Sequence, residues 1–415
     1  MNRCYSIIIY FYYYLILIAS PFNRKAKKWI DGRKKWESVL LKKIKKGESW
    51  IWFHCSSLGE FEDCCEIFFQ IQNAFPHKKT ILTVFSPSAF EALKQTNLFD
   101  VITFLPIDTK SNAKSFVDIV NPEFALFSRS ELWLNILTEV QSREIPIFLI
   151  SLKLSSNSNF VKWPLKYFFG RCFKTFNYIY CQNAETQKLL HSNFNLTNSM
   201  ITGNTRFERI SNQSQIGQAL PDIERYVLNS KVIVIGSSLP KDENFFLDIY
   251  DELKMLNIKW IIVPHEIEKS IIIKKMNTKN LILYSNIIEL NKHHDILIVD
   301  SVGLLKLIYK YANLAIIGGG FDKIGIHNVI EPAVHGVQMA FGPNHKNYEE
   351  AIQLLNLEGA TIYRNSNELK MWIKNKLLKP SNIPIGENIK QYVKTNTIDN
   401  SKIIESIRMK INFTN

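Results

Sequence analysis

Residues 314–350 read LAIIGGGFDKIGIHNVIEPAVHGVQMAFGPNHKNYEE. The run Leu314-Ala315-Ile316-Ile317 has the length and composition of a buried parallel strand. Gly318, Gly319 and Gly320 follow it directly. His327-Asn328 and Glu331-Pro332 then open a predicted helix, and Gly342-Pro343 makes a second turn. A buried strand that ends in glycines and runs into a helix start brings its backbone close to a ligand. Exposed N–H groups and the helix dipole attract an anion there. Glu331, one turn further, is placed to take the hydroxyls of a ribose. Three glycines alone fit a ligand-free strand-turn-helix joint about equally well. With His327, Asn328, Glu331 and the second turn in one unit, a nucleotide or nucleotide-sugar site is the better reading.

The same pattern of apolar run and amphipathic stretch recurs outward from this tract. Strands are predicted at Trp50–His54, Thr80–Phe85, Val101–Leu105, Phe124–Phe127, Ile147–Ile150 and Tyr178–Cys181. A second set is predicted at Val232–Ile235, Trp260–Val263, Ile282–Tyr284, Ile296–Val299, Ala315–Ile317 and Gln338–Phe341. Helical patterns lie between them. Such alternation in both halves predicts an α/β protein of two doubly wound, Rossmann-like parallel sheets with the ligand in a cleft outside the strand carboxyl ends. At 415 residues the chain is too long for one ordinary core. The expected division is 1–20, 21–210, a polar linker at 211–221 rich in Asn, Gln and Ser, and 222–415. The last helix is left free to return to the first domain.

Hydrophobic residues make up 46% and the formal charge is +13, so the chain is globular and suits an anionic partner. Six cysteines occur with no CxxC and no zinc-like Cys/His spacing, which points to free thiols. Ser6 to Ala19 reads SIIIYFYYYLILIA. With its neighbours it gives about 16 apolar residues, short of the roughly 20 needed for a straight span. From Arg24 to Lys46, eleven Lys and Arg residues face only Asp31 and Glu37. Charge after rather than before the apolar run predicts an uncleaved N-terminal membrane anchor with the body on the cytoplasmic face. Whether the segment spans or lies in one leaflet stays open. A membrane-tethered RNA-binding protein is permitted by the charge, but no RNP, KH or helix-turn-helix pattern appears.

Candidate site residues sit directly after predicted strands. Glu60 heads a helix behind the small-residue turn Ser56-Ser57-Leu58-Gly59. It is either a helix-terminus acid or a general base. Glu131, before Leu132-Trp133, is open to the same two readings. Ser237 and Ser238 can hold a phosphate or cap a helix. His265 and His327 can meet a phosphate or a base. No DxD pair follows a strand in a metal-binding context, so no metal ligand is assigned. No Walker, GxSxG or HExxH pattern occurs.

In order along the chain, SPFNRKAKKWIDGRKKW (Ser20–Trp36), WFHCSSLGEFE (Trp52–Glu62), SRSELWLN (Ser128–Asn135), GNTRFER (Gly203–Arg209), IGSSLPKDE, VPHEIEK and residues 318–348 are similar to one family. The chain resembles the 3-deoxy-D-manno-octulosonic acid (Kdo) transferases of lipopolysaccharide synthesis, in their Bacteroidetes-type branch. These are glycosyltransferases of the two-domain GT-B fold. The resemblance implies CMP-Kdo as donor co-substrate, no cofactor, and the lipid A precursor as acceptor. The basic block after the apolar run adds anionic inner-membrane lipids as an expected partner and a place at the cytoplasmic face of the inner membrane, and no nucleic acid is expected. By the resemblance, 21–210 is the acceptor domain and 222–415 the donor domain. Glu60 takes the place of the catalytic base and Glu131 that of the second motif's acid. Ser237, Ser238, His265, Gly318, Gly319, Gly320, His327, Asn328 and Glu331 fall in donor-binding segments. Arg129 stands where the family's other acid lies, so no role passes to it. Ile326 and the longer Asp322-Lys323-Ile324 loop depart from the family's turn. A lipid-disaccharide synthase or a sugar-nucleotide epimerase is the alternative on the same fold.

Overall fold

The computed structural model describes residues 2–215, 219–276, 280–291, 293–323, 325–378, 384–397 and 400–412. The chain divides into two compact units, residues 1–209 with 397–415, and residues 210–396.

The first unit is built on seven strands: β1 Trp50–Cys55, β2 Lys79–Val84, β3 Val101–Phe104, β4 Pro122–Ser128, β5 Ile147–Leu152, β6 Tyr178–Cys181 and β7 Ser199–Ile201. They pair in the order β3-β2-β1-β4-β5-β6-β7, every pair parallel. Apolar side chains lie on both faces of β1, as a sheet covered by helices on each side requires. Trp52 packs on Phe116 and Phe127 on one face, while Phe53 packs on Phe68 and Phe99 on the other. The Ser401–Asn412 helix, far away in sequence, completes the second face. Its Ile403, Ile407 and Ile411 recur every fourth residue and are buried in that core.

The second unit repeats the plan with β8 Lys231–Ser238, β9 Ile258–Pro264, β10 Leu281–Leu283, β11 Ile296–Ile298, β12 Leu314–Ile317, β13 Gln338–Phe341 and β14 Ala360–Ile362. Their order is β10-β11-β9-β8-β12-β13-β14, again parallel. In each sheet the strand order reverses beside the first strand, between β1 and β4 and between β8 and β12. A crevice opens at such switch points, outside the carboxyl ends of the strands.

Two expectations change. The apolar N-terminus is an 18-residue helix, Asn2–Ala19, but no helix among the described residues is long and apolar enough to cross a membrane. At 1.5 Å per residue such a helix reaches about 27 Å, under the roughly 30 Å of a hydrocarbon core. Part of it is also engaged by the body. Ile9 is buried, the Tyr5 ring lies 5.2 Å from Phe168, and the Tyr5 hydroxyl donates to Asp108 at 2.5 Å. The expected linker is not irregular throughout, because Ser211 to Gln215 finish the Thr205–Gln215 helix. That stretch is polar but holds no proline or glycine, so nothing breaks the helix. Residues 216–218 of that linker, and Ile324 of the lengthened loop, lie outside the described set.

Candidate functional site

In the first unit the switch point brings Glu60 and Glu131 into one hydrogen-bonded group. Ser57 caps the Leu58–Ala74 helix, its hydroxyl accepting the Glu60 N–H at 3.2 Å. The Glu60 carboxylate turns back over the helix start and accepts the Ser56 N–H at 2.8 Å. It also accepts the Ser128 hydroxyl at 3.2 Å, from the end of β4. One oxygen of Glu131 gathers three donors: the Ser56 hydroxyl, the Trp133 indole N–H at 2.8 Å and His54 Nε2 at 3.2 Å. His54, inside β1 and fully buried, turns its Nδ1 to the Thr83 carbonyl at 3.0 Å. The ring is thus held between Thr83 and Glu131.

The electrostatics separate the two carboxyls. Burial, then the charge of Glu131, pushes Glu60 above the usual glutamate range, against the Ser56 N–H, His54 and Ser128. Burial also opposes charge on Glu131, but His54, Ser56 and Trp133 outweigh it and hold its carboxyl below the usual range. Two neighbouring acids whose environments push them apart are the pattern of a proton acceptor beside a permanent anion.

Arg129, with a left-handed backbone at φ 52°, pairs with Asp63, which also faces Arg206 at 3.2 Å. The sequence flagged Arg129 only as a departure. Its partner is one turn beyond Glu60 on the same helix, so this pair borders the acid group.

In the second unit Ser237 and Ser238 end β8, and Gly318–Gly320 follow β12, on the two sides of the other switch point. A side chain at Gly318 would meet the Ser237 carbonyl oxygen at 2.0 Å, and one at Gly320 would meet the Gly342 backbone at 2.9 Å. The glycines are thus required by close backbone packing. Their N–H groups are engaged within the unit: Gly318 donates to Gly236 at 2.9 Å, Gly319 to Asp242 at 2.9 Å and Gly320 to Gly325 at 2.7 Å. The tract shapes the turn instead of offering these donors to an anion. Ser238 is similarly occupied, donating to Glu243 at 2.9 Å. Glu243 also accepts Ser270 and the N–H groups of Ile271 and Ile272. Asp242 takes the Leu239 N–H as well, at 2.9 Å, and burial lifts its carboxyl to about 6.

A different set is less enclosed: His265 is exposed, and His327, Asn328, Glu331 and Ser237 are half-buried. The rings of His265 and His327 lie 4.7 Å apart. Burial, then His265, pushes His327 below the ordinary histidine value. Asn328 accepts the Ile330 N–H at 3.0 Å and donates to Glu331 at 3.1 Å, tying both to the start of the Ile330–Val334 helix. Ser237 has φ 52° and is half-buried. Sequence reasoning did not single out His54, Ser128, Asp242 or Glu243 as supports. A histidine inside the apolar strand WIWFHC was the available signal for the first of these.

The two units are Rossmann-like α/β domains, and solved structures share that arrangement. UDP-GlcNAc 2-epimerase from Neisseria meningitidis matches 88% of this chain and 100% of its own at TM-score 0.54 with 13% identity, a likeness of fold alone. The family model for 3-deoxy-D-manno-octulosonic-acid transferase (kdotransferase) matches residues 32–209. The 3-deoxy-D-manno-octulosonic acid transferase of Chlamydophila psittaci is 30% identical over 329 residues, 77% of this chain and 76% of that protein. That of Aquifex aeolicus is 25% identical over 345 residues, covering 82% and 90%. These relatives make the chain a glycosyltransferase. The chain belongs to the 3-deoxy-D-manno-octulosonic acid transferase family.

Proposed function

We propose that this protein moves Kdo from CMP-Kdo to a hydroxyl of the lipid A precursor, with inversion at the anomeric carbon and Glu60 as base. The observation that carries this reading is the Glu60–Glu131 group at the first switch point, in a chain of the Kdo transferase family. Glu60 takes the acceptor hydroxyl proton as that oxygen bonds to the anomeric carbon. The bond from that carbon to the CMP phosphate oxygen breaks, and CMP leaves with the electron pair. A carboxyl raised toward neutrality is a stronger base than an ordinary glutamate. Glu131 stays charged, keeps Glu60 raised and holds the Ser56 turn in place.

On the donor side, Glu331 binds the ribose hydroxyls, supported by Asn328. His265, His327 and the Ser237 turn receive the phosphate and stabilise the negative charge that grows on it. The glycines allow that backbone turn, and Ser238 supports it through Glu243. The absence of a DxD pair in the sequence favours a mechanism without a metal ion. The exposed side of the N-terminal helix, with Ile7, Phe11 and Ile18, is read as lying on the inner-membrane surface where the acceptor resides. In the basic block behind it, Arg33 is buried against Trp29 and bonds to the Leu105 carbonyl, so it adds no charge to that surface.

The test is to incubate the purified chain with a CMP-Kdo-generating system and lipid A precursor and to weigh the acceptor. A gain of one or more Kdo masses supports the reading and counts the sugars. Unchanged acceptor mass overturns it.

A further inference from the structure

A second surface of the first unit has no part in this chemistry. The Leu165–Phe173 helix presents Lys166, Tyr167 and Arg171 along one side, and Lys174 follows its end. With Asn193 and Asn195 at the end of the Ala184–Phe194 helix they line a groove of about 530 Å³. Gly170 forms its floor, where a side chain would meet Phe194 at 2.8 Å. No carboxylate lines the groove. Between Lys153 and Asn195 the only acid is Glu185, and one of its oxygens accepts the Ser156 N–H. None of Lys166, Arg171 and Lys174 has an ion-pair partner among the described residues.

Large apolar side chains stand beside these cations. Trp163 is 77% exposed, Tyr167 59% and Leu165 47%, values that a water-facing helix start does not favour. Phe168, on the same helix, touches Tyr5 of the N-terminal helix. The N-terminal helix and the Leu165–Phe173 helix therefore pack on each other through Tyr5 and Phe168, and each carries exposed apolar side chains elsewhere on its surface. Aromatic rings with a cationic rim match the boundary between acyl chains and anionic headgroups.

We propose that this groove binds the phosphate of an anionic phospholipid while Trp163, Leu165 and Tyr167 enter the interface. It is a second membrane contact, separate from the N-terminal helix and independent of which sugar is transferred. Charge complementarity commits the occupant: three unpaired cations take the headgroup phosphate, and the neighbouring rings take the acyl boundary, which a free anion would leave in water.

The test uses the full chain carrying Cys4→Ser and Trp163→Cys, labelled with a polarity-sensitive dye. Cys4 is the exposed native cysteine, and the other five are buried, so labelling is selective. Vesicles of phosphatidylcholine with phosphatidylglycerol should shift the dye emission to the blue. Pure phosphatidylcholine should do so at least tenfold more weakly at equal lipid. Lys166→Ser, Arg171→Ser and Lys174→Ser together should remove the anionic-lipid response while circular dichroism and melting stay unchanged. A label that stays in water on the anionic vesicles overturns the proposal. So does an equal response to both vesicles, or a full response from the triple variant. A dye response to inorganic phosphate alone would assign the groove to a free anion instead of a lipid.

Discussion

The charge of Glu131 lifts the carboxyl of Glu60, second only to burial in doing so. The two acids follow different strands, Glu60 in the helix after β1 and Glu131 in the turn after β4, and Ser56 binds both: its N–H serves Glu60 and its hydroxyl serves Glu131. As the proposed base, Glu60 has a recognisable pH signature. The active form is the carboxylate, so turnover falls as pH drops through a value raised above the ordinary glutamate's roughly 4.3. Glu131→Gln removes the neighbouring charge and should move that acid limb to lower pH. The same variant leaves buried His54 without its anionic partner and should lower stability by about 1–3 kcal/mol. A pH–rate profile with a paired melting curve checks both. A limb displaced to higher pH would contradict the coupling.

Gly318 and Gly59 should respond in opposite ways to alanine. A Cβ at Gly318 meets backbone oxygen at 2.0 Å, while one at Gly59 meets nothing within 4 Å. Gly318→Ala should cost roughly 2–4 kcal/mol or prevent folding, because backbone must shift. Gly59→Ala should be neutral, or stabilise by up to about 1 kcal/mol in its helical setting. Urea unfolding of the two variants decides; equal, small effects would contradict the packing of the tract.

Donor binding should depend on the His265–His327 pair. His327 is held below the ordinary histidine value, so near neutral pH it is uncharged before the donor arrives. A phosphate beside it favours the protonated ring. Binding then takes up protons and tightens as pH falls from about 8 to about 6. Titration calorimetry with CMP in buffers of different ionisation enthalpy measures the uptake. His327→Gln should flatten the dependence, and unchanged uptake in that variant would remove His327 from the phosphate site.

Asp242 gives a stability prediction of definite sign. Its folded value of about 6 lies above the roughly 3.9 of an unfolded aspartate. Between these values the folded state binds more protons, so this contribution to stability falls as pH rises and levels off above the upper value. Asp242→Asn should remove that slope from the difference between variant and parent. Urea midpoints measured across pH 4 to 8 test it. A difference that grows as pH rises above about 7 would contradict the assignment.

Most of the sheet architecture was readable because buried parallel strands are unbroken apolar runs, as in WIWFHC and VIVIG. The strands β7 and β14 were missed: each is a three-residue edge strand, Ser199-Met200-Ile201 and Ala360-Thr361-Ile362, without the unbroken apolar run that marked the equally short β10. Glu60 and Glu131 stood out by position after their strands, but nothing in sequence told base from cap. The proposal of Glu60 as base rests on His54, Ser56, Ser128 and Trp133, whose convergence is a matter of tertiary packing. The glycine tract shows the converse. Its composition suggested donors for an anion, yet Gly236, Asp242 and Gly325 take those N–H groups, which only the folded backbone reveals. The Asn2–Ala19 stretch was legible as apolar and helical, whereas its engagement through Tyr5 and Ile9 was not.

As the proposed base, Glu60 carries the proton transfer on which the reaction depends. Glu60→Gln keeps the shape and the Ser56 contact but cannot accept the proton. With CMP-Kdo binding retained, transfer to the lipid A precursor should fall by about 10²–10⁴-fold. Undiminished transfer by a variant that still binds CMP-Kdo would contradict the account.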